Sequence, residues 1–494
     1  MSKSNKETFQ IYDWEGNEFP IRVTKLSSIT KHYKIPTDST IDIYRDQDYR
    51  LKGVLRGITQ DKTDLNYYEN DEIKTVGFIM GETIEAISNN RLYQIKGLGI
   101  SSVKYIPIKR NNFTYLEFEC QVYLESFELI NIEQNVPDKI CDYFLCSVPD
   151  MLFNGITKRI NSSKQYKYRI PLDHYEDDKE SFTEGYSSSR DYFTLNYENK
   201  VICIQMVHKK HLPGSIDGIL IEYRDVLNNF PDENFRKIVQ EFLSFIFGSH
   251  MQKVGSSSFC DGYKLINCES RNPWSRKIFK NGNANPIPLN NRRENNHFGE
   301  MVNNLFLNFI KQYDQISLSD CLWKLWSGQS LPLGTNLPIL SSGLETLIDS
   351  FVQFHGLQRK YTKEEKKIYT NLIKDELESL EVKLEGYEFK LSVINKLRSP
   401  YNFSIGEKMR VFFKYLNIHF DKKTLENQAL LARNHMAHQS LNFDTVAEQQ
   451  RIKKISDAYV TLIHRVILKI LDYNSYYIDY SKEGIRYLNI NDNM

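Results

Sequence analysis

Near its C-terminus the chain reads Leu430-Leu431-Ala432-Arg433-Asn434-His435-Met436-Ala437-His438, a run whose residue types suit RNA cleavage without a metal. Such cleavage needs a base to take the 2′-hydroxyl proton and a cation to steady the negative charge that builds on the phosphorane. Histidine and arginine are natural choices for the two jobs. On a helix Asn434 and His438, four apart, share one face, and Arg433 is offset but long enough to reach the same cleft. Asn434 can then orient either partner by a hydrogen bond. The Arg-x4-His spacing alone is weak, because it occurs three times: Arg169 to His174, Arg292 to His297 and Arg433 to His438. The first holds Pro171 in strand-like sequence and cannot present a helical face. The second lies in polar sequence and has Arg293 where the third has Asn434. Only the third has apolar, helix-like sequence on both sides.

The elements that must position these residues follow from periodicity. After residue 300 helical spacing takes over, and Ser317 with Asp320, Thr362 with Glu365, Ser404 with Glu407 and Thr445 with Glu448 have the spacing of a capping box. These signals predict helices near 301–314, 317–327, 337–356, 362–382, 386–398, 404–418, 422–437 and 445–472. The last carries apolar residues on too wide a face for a surface helix, among them Ile452, Ile455, Tyr459, Ile463 and Val466, and reads as the centre of a bundle. Before residue 225 the signal is a period of two or short apolar runs, at 41–58 around the breaks Gly53 and Gly57, 75–80, 93–108, 115–129 and 192–207 with a turn at Glu198-Asn199. That is a β-rich region, read as two sheets and closed by a helix over Asp232 to Phe247. The fold class is therefore α+β and multidomain. A β-rich domain covers 1–150, a second β-rich part 151–268, a basic polar linker 269–300 and a helical domain 301–494. In the linker, basic residues with Trp274 and Phe279 offer phosphate contact and base stacking, although a solvated connector is the simpler reading.

Composition narrows the function classes. The 494 residues exceed one ordinary core, and 40% hydrophobic with 26% charged residues is the balance of a folded soluble protein. A net charge of +1 supplies no global field to gather nucleic acid, so any RNA contact must be local. The start MSKSNKETFQ lacks the order of a signal peptide and no apolar run is long enough to span a bilayer, so the chain reads as cytosolic, with no membrane partner. Seven cysteines form no CxxC pair, and Cys260 and Cys268 with His250 fit no common zinc spacing. Buried thiols, with no metal and no cofactor, are the expectation. There is no nucleotide-binding loop of the GxxxxGK type.

The motif from Arg433 to His438, in a C-terminal helical region and followed by one long helix, resembles the HEPN superfamily (higher eukaryotes and prokaryotes nucleotide-binding) over about residues 300 to 494. The resemblance implies a metal-independent endoribonuclease that acts as a homodimer or higher homo-oligomer, two motifs facing one cleft. In it Arg433 stabilises the transition state, Asn434 orders the site and His438 is the acid or base. A β-rich first part joined to such a domain is similar to the ApeA type of bacterial anti-phage defence protein, a likeness of layout and of phrases such as Phe242-Leu243-Ser244-Phe245-Ile246-Phe247-Gly248. It implies an N-terminal part that senses infection, through a phage-derived trigger such as a protein, and restrains the nuclease. Transfer RNA or another structured RNA is the implied target. The rival is a non-catalytic protein whose bundle serves dimerisation or nucleotide binding.

Other residues carry two readings each. His435 is either a second active-site imidazole or a helix-surface histidine, the latter being favoured. Arg433 and His438 themselves can be read as a structural pair joining helices. Glu345 either approaches the motif, where a carboxylate would raise the histidine's pKa and hold the arginine, or has no part in it. Asp349 on the same helix face is expected to be solvent-exposed. Phe412, Phe413, Tyr415 and Phe420 read as core, and Tyr473, Tyr476, Tyr477 and Tyr480 as residues that pack back on the bundle.

Overall fold

The computed structural model describes residues 20–29, 35–36, 38–60, 82–110, 113–130, 136–146, 160–162, 165–167, 192–198, 200–207, 218–224, 231–260, 264–273, 284–289, 298–357, 362–398, 404–418, 429–430, 445–482 and 486–491. The chain divides into two compact units. One is Met1–Asn283 with Leu289–Asn304, and the other is Ala284–Pro288 with Leu305–Met494.

Alternation of buried and part-exposed residues builds most of the first half of the β-rich unit. β1 (Ile21–Ser28), β2 (Thr40–Arg45), β3 (Leu51–Thr59), β4 (Glu82–Ser88), β5 (Arg91–Arg110) and β6 (Phe113–Tyr123) pair antiparallel in the order β5-β4-β1-β2-β3-β6, and β6 returns to β5. The ring is a closed barrel. Alternate residues point inward along most of these strands, with a register shift in β1 that buries Val23 and Leu26 three apart, so Ile41, Ile43, Leu51, Leu55, Ile84, Ile95, Phe118 and Val122 share one core with them. Each large aliphatic side chain so buried contributes about 1.5–3 kcal/mol. Gly53 and Gly57 do not break the strand as expected, because β3 runs through both. A Cβ on Gly57 would lie 2.5 Å from the Ser39 hydroxyl and 2.7 Å from the Phe118 ring, so glycine makes room for the packed interior.

β5 is shared. Its first half also pairs with β7 (Ser126–Leu129), which begins a second sheet in the order β11-β12-β13-β8-β14-β15-β7. These strands are β8 (Lys139–Leu145), β11 (Tyr192–Tyr197), β12 (Lys200–Val207), β13 (Gly218–Arg224), β14 (Gln252–Cys260) and β15 (Lys264–Arg271); β9 (Ile160–Ser162) and β10 (Gln165–Lys167) pair apart from them. The two expected sheets are thus one continuous set of thirteen strands. The expected boundary near residue 150 is overturned for the same reason: β8, before the cut, hydrogen-bonds to β13 and β14, both after it. The helix expected over Asp232 to Phe247 is α1 (Glu233–Phe247), capped by Asp232, which accepts from the Phe235 amide, and ended by Gly248 in the left-handed conformation.

The helical unit is built mainly from α2 (Phe298–Tyr313), α3 (Leu318–Ser330), α4 (Asn336–Phe354), α5 (Lys363–Leu372), α6 (Lys374–Lys383), α7 (Lys390–Arg398), α8 (Ile405–Tyr415) and α9 (Val446–Ile470). α2 runs across the division between the units. α3 and α4 pack closely because Gly328 and Gly343 present no side chain where they meet; a Cβ at Gly328 would lie 2.8 Å from Leu340. Complete capping boxes start α5 at Thr362 and α8 at Ser404, and Thr445 caps α9 with its hydroxyl alone. Ser317 makes no side-chain cap, and its backbone amide donates to the Ser350 hydroxyl. The single helix expected over 362–382 is two, interrupted at Ile373 with φ −104° and ψ 3°. The helix expected over 422–437 lies outside the described residues except for 429–430. A hairpin of β16 (Tyr476–Asp479) and β17 (Arg486–Asn489) follows α9 where only helix was expected. The linker is also corrected: residues 269–271 are the end of β15, and 284–288 belong to the helical unit. There the Pro286 carbonyl accepts from the Ile478 amide and the Asn285 carbonyl from the Tyr480 hydroxyl. Among the described residues no helix is long and apolar enough to cross a membrane.

Candidate functional site

Residues 431–444, and with them Arg433, Asn434, His435 and His438, lie outside the described residues. So do Phe420, Trp274, Phe279 and the two other Arg-x4-His pairs. What the structure defines is the frame on either side of the motif: Ala429 is buried just before it, and α9 begins at Thr445 just after it. α4 is the element that touches most of the frame, with contacts to α3, α8 and α9.

α4 carries the two acidic residues singled out in the sequence. Glu345 is half-buried, and its Oε1 accepts from the Ser341 hydroxyl one turn earlier at 2.8 Å. Asp349 is exposed, as expected, and pairs with the Lys408 ammonium at 3.0 Å, which ties α4 to α8. At the start of the helix the Asn336 amide donates to the Ser456 hydroxyl of α9 at 2.6 Å, both groups being buried. α4 is therefore held by polar contacts along its length, from Asn336 at its start through Ser342 and Thr346, which accept from the Lys324 ammonium, to Asp349 and Ser350 near its end, and Glu345 lies among them. His355, for which the sequence suggests no role, follows α4 and lies against Phe351 and Tyr415 with the rings tilted and centroids 4.1 and 5.3 Å away. Burial lowers its pKa. Its place after the last turn of a strongly periodic helix was the available signal.

The aromatic residues are mostly structural. Phe412 and Phe413 are buried, and Phe412 meets Phe351 edge-on at 5.1 Å; Tyr415 is exposed, with its edge toward the same ring. Tyr473 and Tyr477 are buried while Tyr476 is exposed. The Tyr473 hydroxyl donates to the Tyr476 carbonyl at 2.8 Å. On α9 the wide apolar face is buried as predicted, together with His464 and Arg465. Burial pushes the His464 imidazole down to about 3. The Arg465 guanidinium lies over the Tyr477 ring at 5.8 Å.

The β-rich unit holds a polar cavity of about 280 Å³ that the sequence did not foreshadow. It is lined by Glu128, Glu233, Arg236, Lys253, Glu269 and Arg271, with Ser256, Ser258 and Asn267. Beside it the Asp142 carboxylate is buried and accepts from Arg236 at 2.7 Å, with the Lys253 ammonium 3.0 Å away. These contacts join β8, α1 and β14. Residues from four strands and a helix contribute, so no local pattern could have assembled them. All seven cysteines are buried thiols in no disulfide, and burial pushes the Cys120 and Cys321 thiols up to about 12. The His250 imidazole is lowered to about 4 by the same cause. Among the described residues no group of three or more His, Cys, Asp or Glu is placed to hold a metal ion.

Comparison of the chain with protein-family models, with curated proteins and with solved structures found no match. What the chain resembles therefore rests on its own motif and layout.

Proposed function

We propose that the chain is a metal-independent endoribonuclease of bacterial anti-phage defence, with a C-terminal HEPN-type effector and an N-terminal β-rich regulator. The observation that carries this reading is the sequence Arg433-Asn434-x3-His438, placed directly before a long, buried helix. His438 takes or returns the 2′-hydroxyl proton, Arg433 steadies the charge on the transferring phosphorus, and Asn434 orients one of them. Glu345 is the carboxylate best suited to support the pair, being half-buried on the helix that contacts α9. A carboxylate there would favour the protonated histidine and fix the arginine. The target is transfer RNA or another structured RNA, and the active form is a homodimer whose two motifs share a cleft. The β-rich unit restrains the nuclease until a phage-derived trigger, such as a protein, is sensed.

Growth tests the proposal in cells. Strong expression of the chain in a bacterial host, with phage challenge to supply the trigger, should arrest growth. His438→Ala at equal protein level should relieve the arrest, since loss of a general acid–base group costs about 10²–10⁴ in rate. Equal growth of the two strains under both conditions would count against the nuclease.

A further inference from the structure

The polar cavity of the β-rich unit has no part in the nuclease reading, and strand register explains what lines it. On β14 Ser256 and Ser258, two apart, point to one face of the sheet, and opposite them on β15 stand Glu269 and Asn267. Glu269 in turn faces Glu128 of β7, while Ser256 faces Asp142 of β8 on its other side. α1 adds Glu233 and Arg236 to the lining. Among the described residues the Ser256 and Ser258 hydroxyls and the Asn267 carboxamide make no hydrogen bond to protein, so all three are left to a ligand. A volume of about 280 Å³ lies just below the usual range for ligand pockets, roughly 300–1,000 Å³, and suits a small polar molecule rather than a nucleotide or a peptide.

Charge decides what kind of molecule. Arg236 and Lys253 share a single oxygen, Oδ1 of the buried Asp142, at 2.7 and 3.0 Å, so two cations meet one carboxylate. On the acidic side Glu128 is paired with the Lys96 ammonium at 2.8 Å and Glu269 with Arg271. Glu233, exposed in the first turn of α1, forms no ion pair among the described residues. The cavity therefore holds one cation and one carboxylate more than its own pairs use. Glu233 and Arg236 are three apart on α1, which sets their Cβ atoms about 5–6 Å apart on one face of the helix, so a single small molecule can reach both. A simple anion would meet Glu128, Glu233 and Glu269, and a simple cation Arg236, Lys253 and Arg271; a molecule with one charge of each sign satisfies both sides.

We propose that this cavity binds a free α-amino acid. Its carboxylate lies against Lys253 and Arg236 with the Ser256 hydroxyl, its ammonium lies against Glu233, and Ser258 and Asn267 bond a polar side chain. The site does not depend on the nuclease reading. Isothermal titration calorimetry of the full chain with each standard amino acid in turn tests it. At least one should bind, and its amine without the carboxylate and its hydroxy acid without the ammonium should each bind about tenfold or more weakly. Glu233→Gln should weaken binding by a similar factor, and Asn267→Ala should weaken it as well. Both positions are exposed, so the far-ultraviolet circular dichroism of either variant should match that of the wild type. Binding of no amino acid at millimolar concentration, binding that both variants leave unchanged, or a hydroxy acid that binds as well as its amino acid would overturn the proposal.

Discussion

His464 shows what burial does to a single titratable group. Its imidazole falls from the ordinary value near 6.5 to about 3 because the surrounding core penalises the charged form. Below pH 6.5 the unfolded chain takes up a proton that the folded chain refuses until near pH 3. The group's contribution to stability is therefore complete above pH 6.5 and is lost as the pH falls through that window. From pH 7 to pH 5 the loss amounts to about 2 kcal/mol for such a group. Urea unfolding at the two pH values should show His464→Gln losing less stability than the wild type by roughly that amount; identical losses would contradict the sealed, neutral imidazole. At this scale the sequence was partly informative. Residue types and spacing single out Arg433, Asn434 and His438, and Asp349 is exposed on α4 as expected. His464 was not singled out, although it lies on the helix whose wide apolar face was read as the centre of the bundle, and the Ser341–Glu345 and Asn336–Ser456 bonds needed the three-dimensional structure.

Among the elements, those with strong local chemistry were legible. The caps at Thr362 and Ser404 and the long apolar face of α9 were readable, because each depends on neighbours within a few residues. β14 was not foreseen: it reads Gln252 to Cys260 with three serines in a row, and its buried face is set by β8 and β15 on either side. β16 and β17, four residues each, are too short for periodicity to register. The close crossing of α3 and α4 was also hidden, since a glycine in a helix says nothing by itself about what approaches it. A Cβ at Gly343 would lie 3.1 Å from Lys324 Cβ and 3.4 Å from the Cys321 carbonyl. Gly343→Val should therefore lower stability by about 1–3 kcal/mol, as overpacking does. A Cβ at Gly406 on α8 would meet nothing within 4 Å, and Gly406→Ala should be tolerated. Thermal midpoints compare the two; equal tolerance would mean that α3 and α4 stand further apart.

The whole molecule is set by pairings that no local signal carries. β8 lies between β13 and β14, some seventy to a hundred and twenty residues further along the chain, and β5 belongs to the barrel and to the second sheet at once. Its change of partners falls near Gly97, whose φ of 66° and close approach to Glu125 suit glycine alone. The β-rich half therefore could not be divided correctly from the sequence, whereas the order of a β-rich unit followed by a helical one could. Residues 284–288, linker-like in composition, belong to the helical unit and hydrogen-bond to the segment after α9. The central claim spans this whole arrangement: a regulator built of strands and an effector that cuts RNA with Arg433 and His438. Its most direct test is incubation of the purified full chain with total bacterial RNA in EDTA, beside His438→Ala and Arg433→Ala and with extract of phage-infected cells as the trigger. The account predicts discrete fragments with the wild type that both variants lack. Fragments that persist in either variant, or cleavage that appears only when Mg²⁺ is restored, would contradict it.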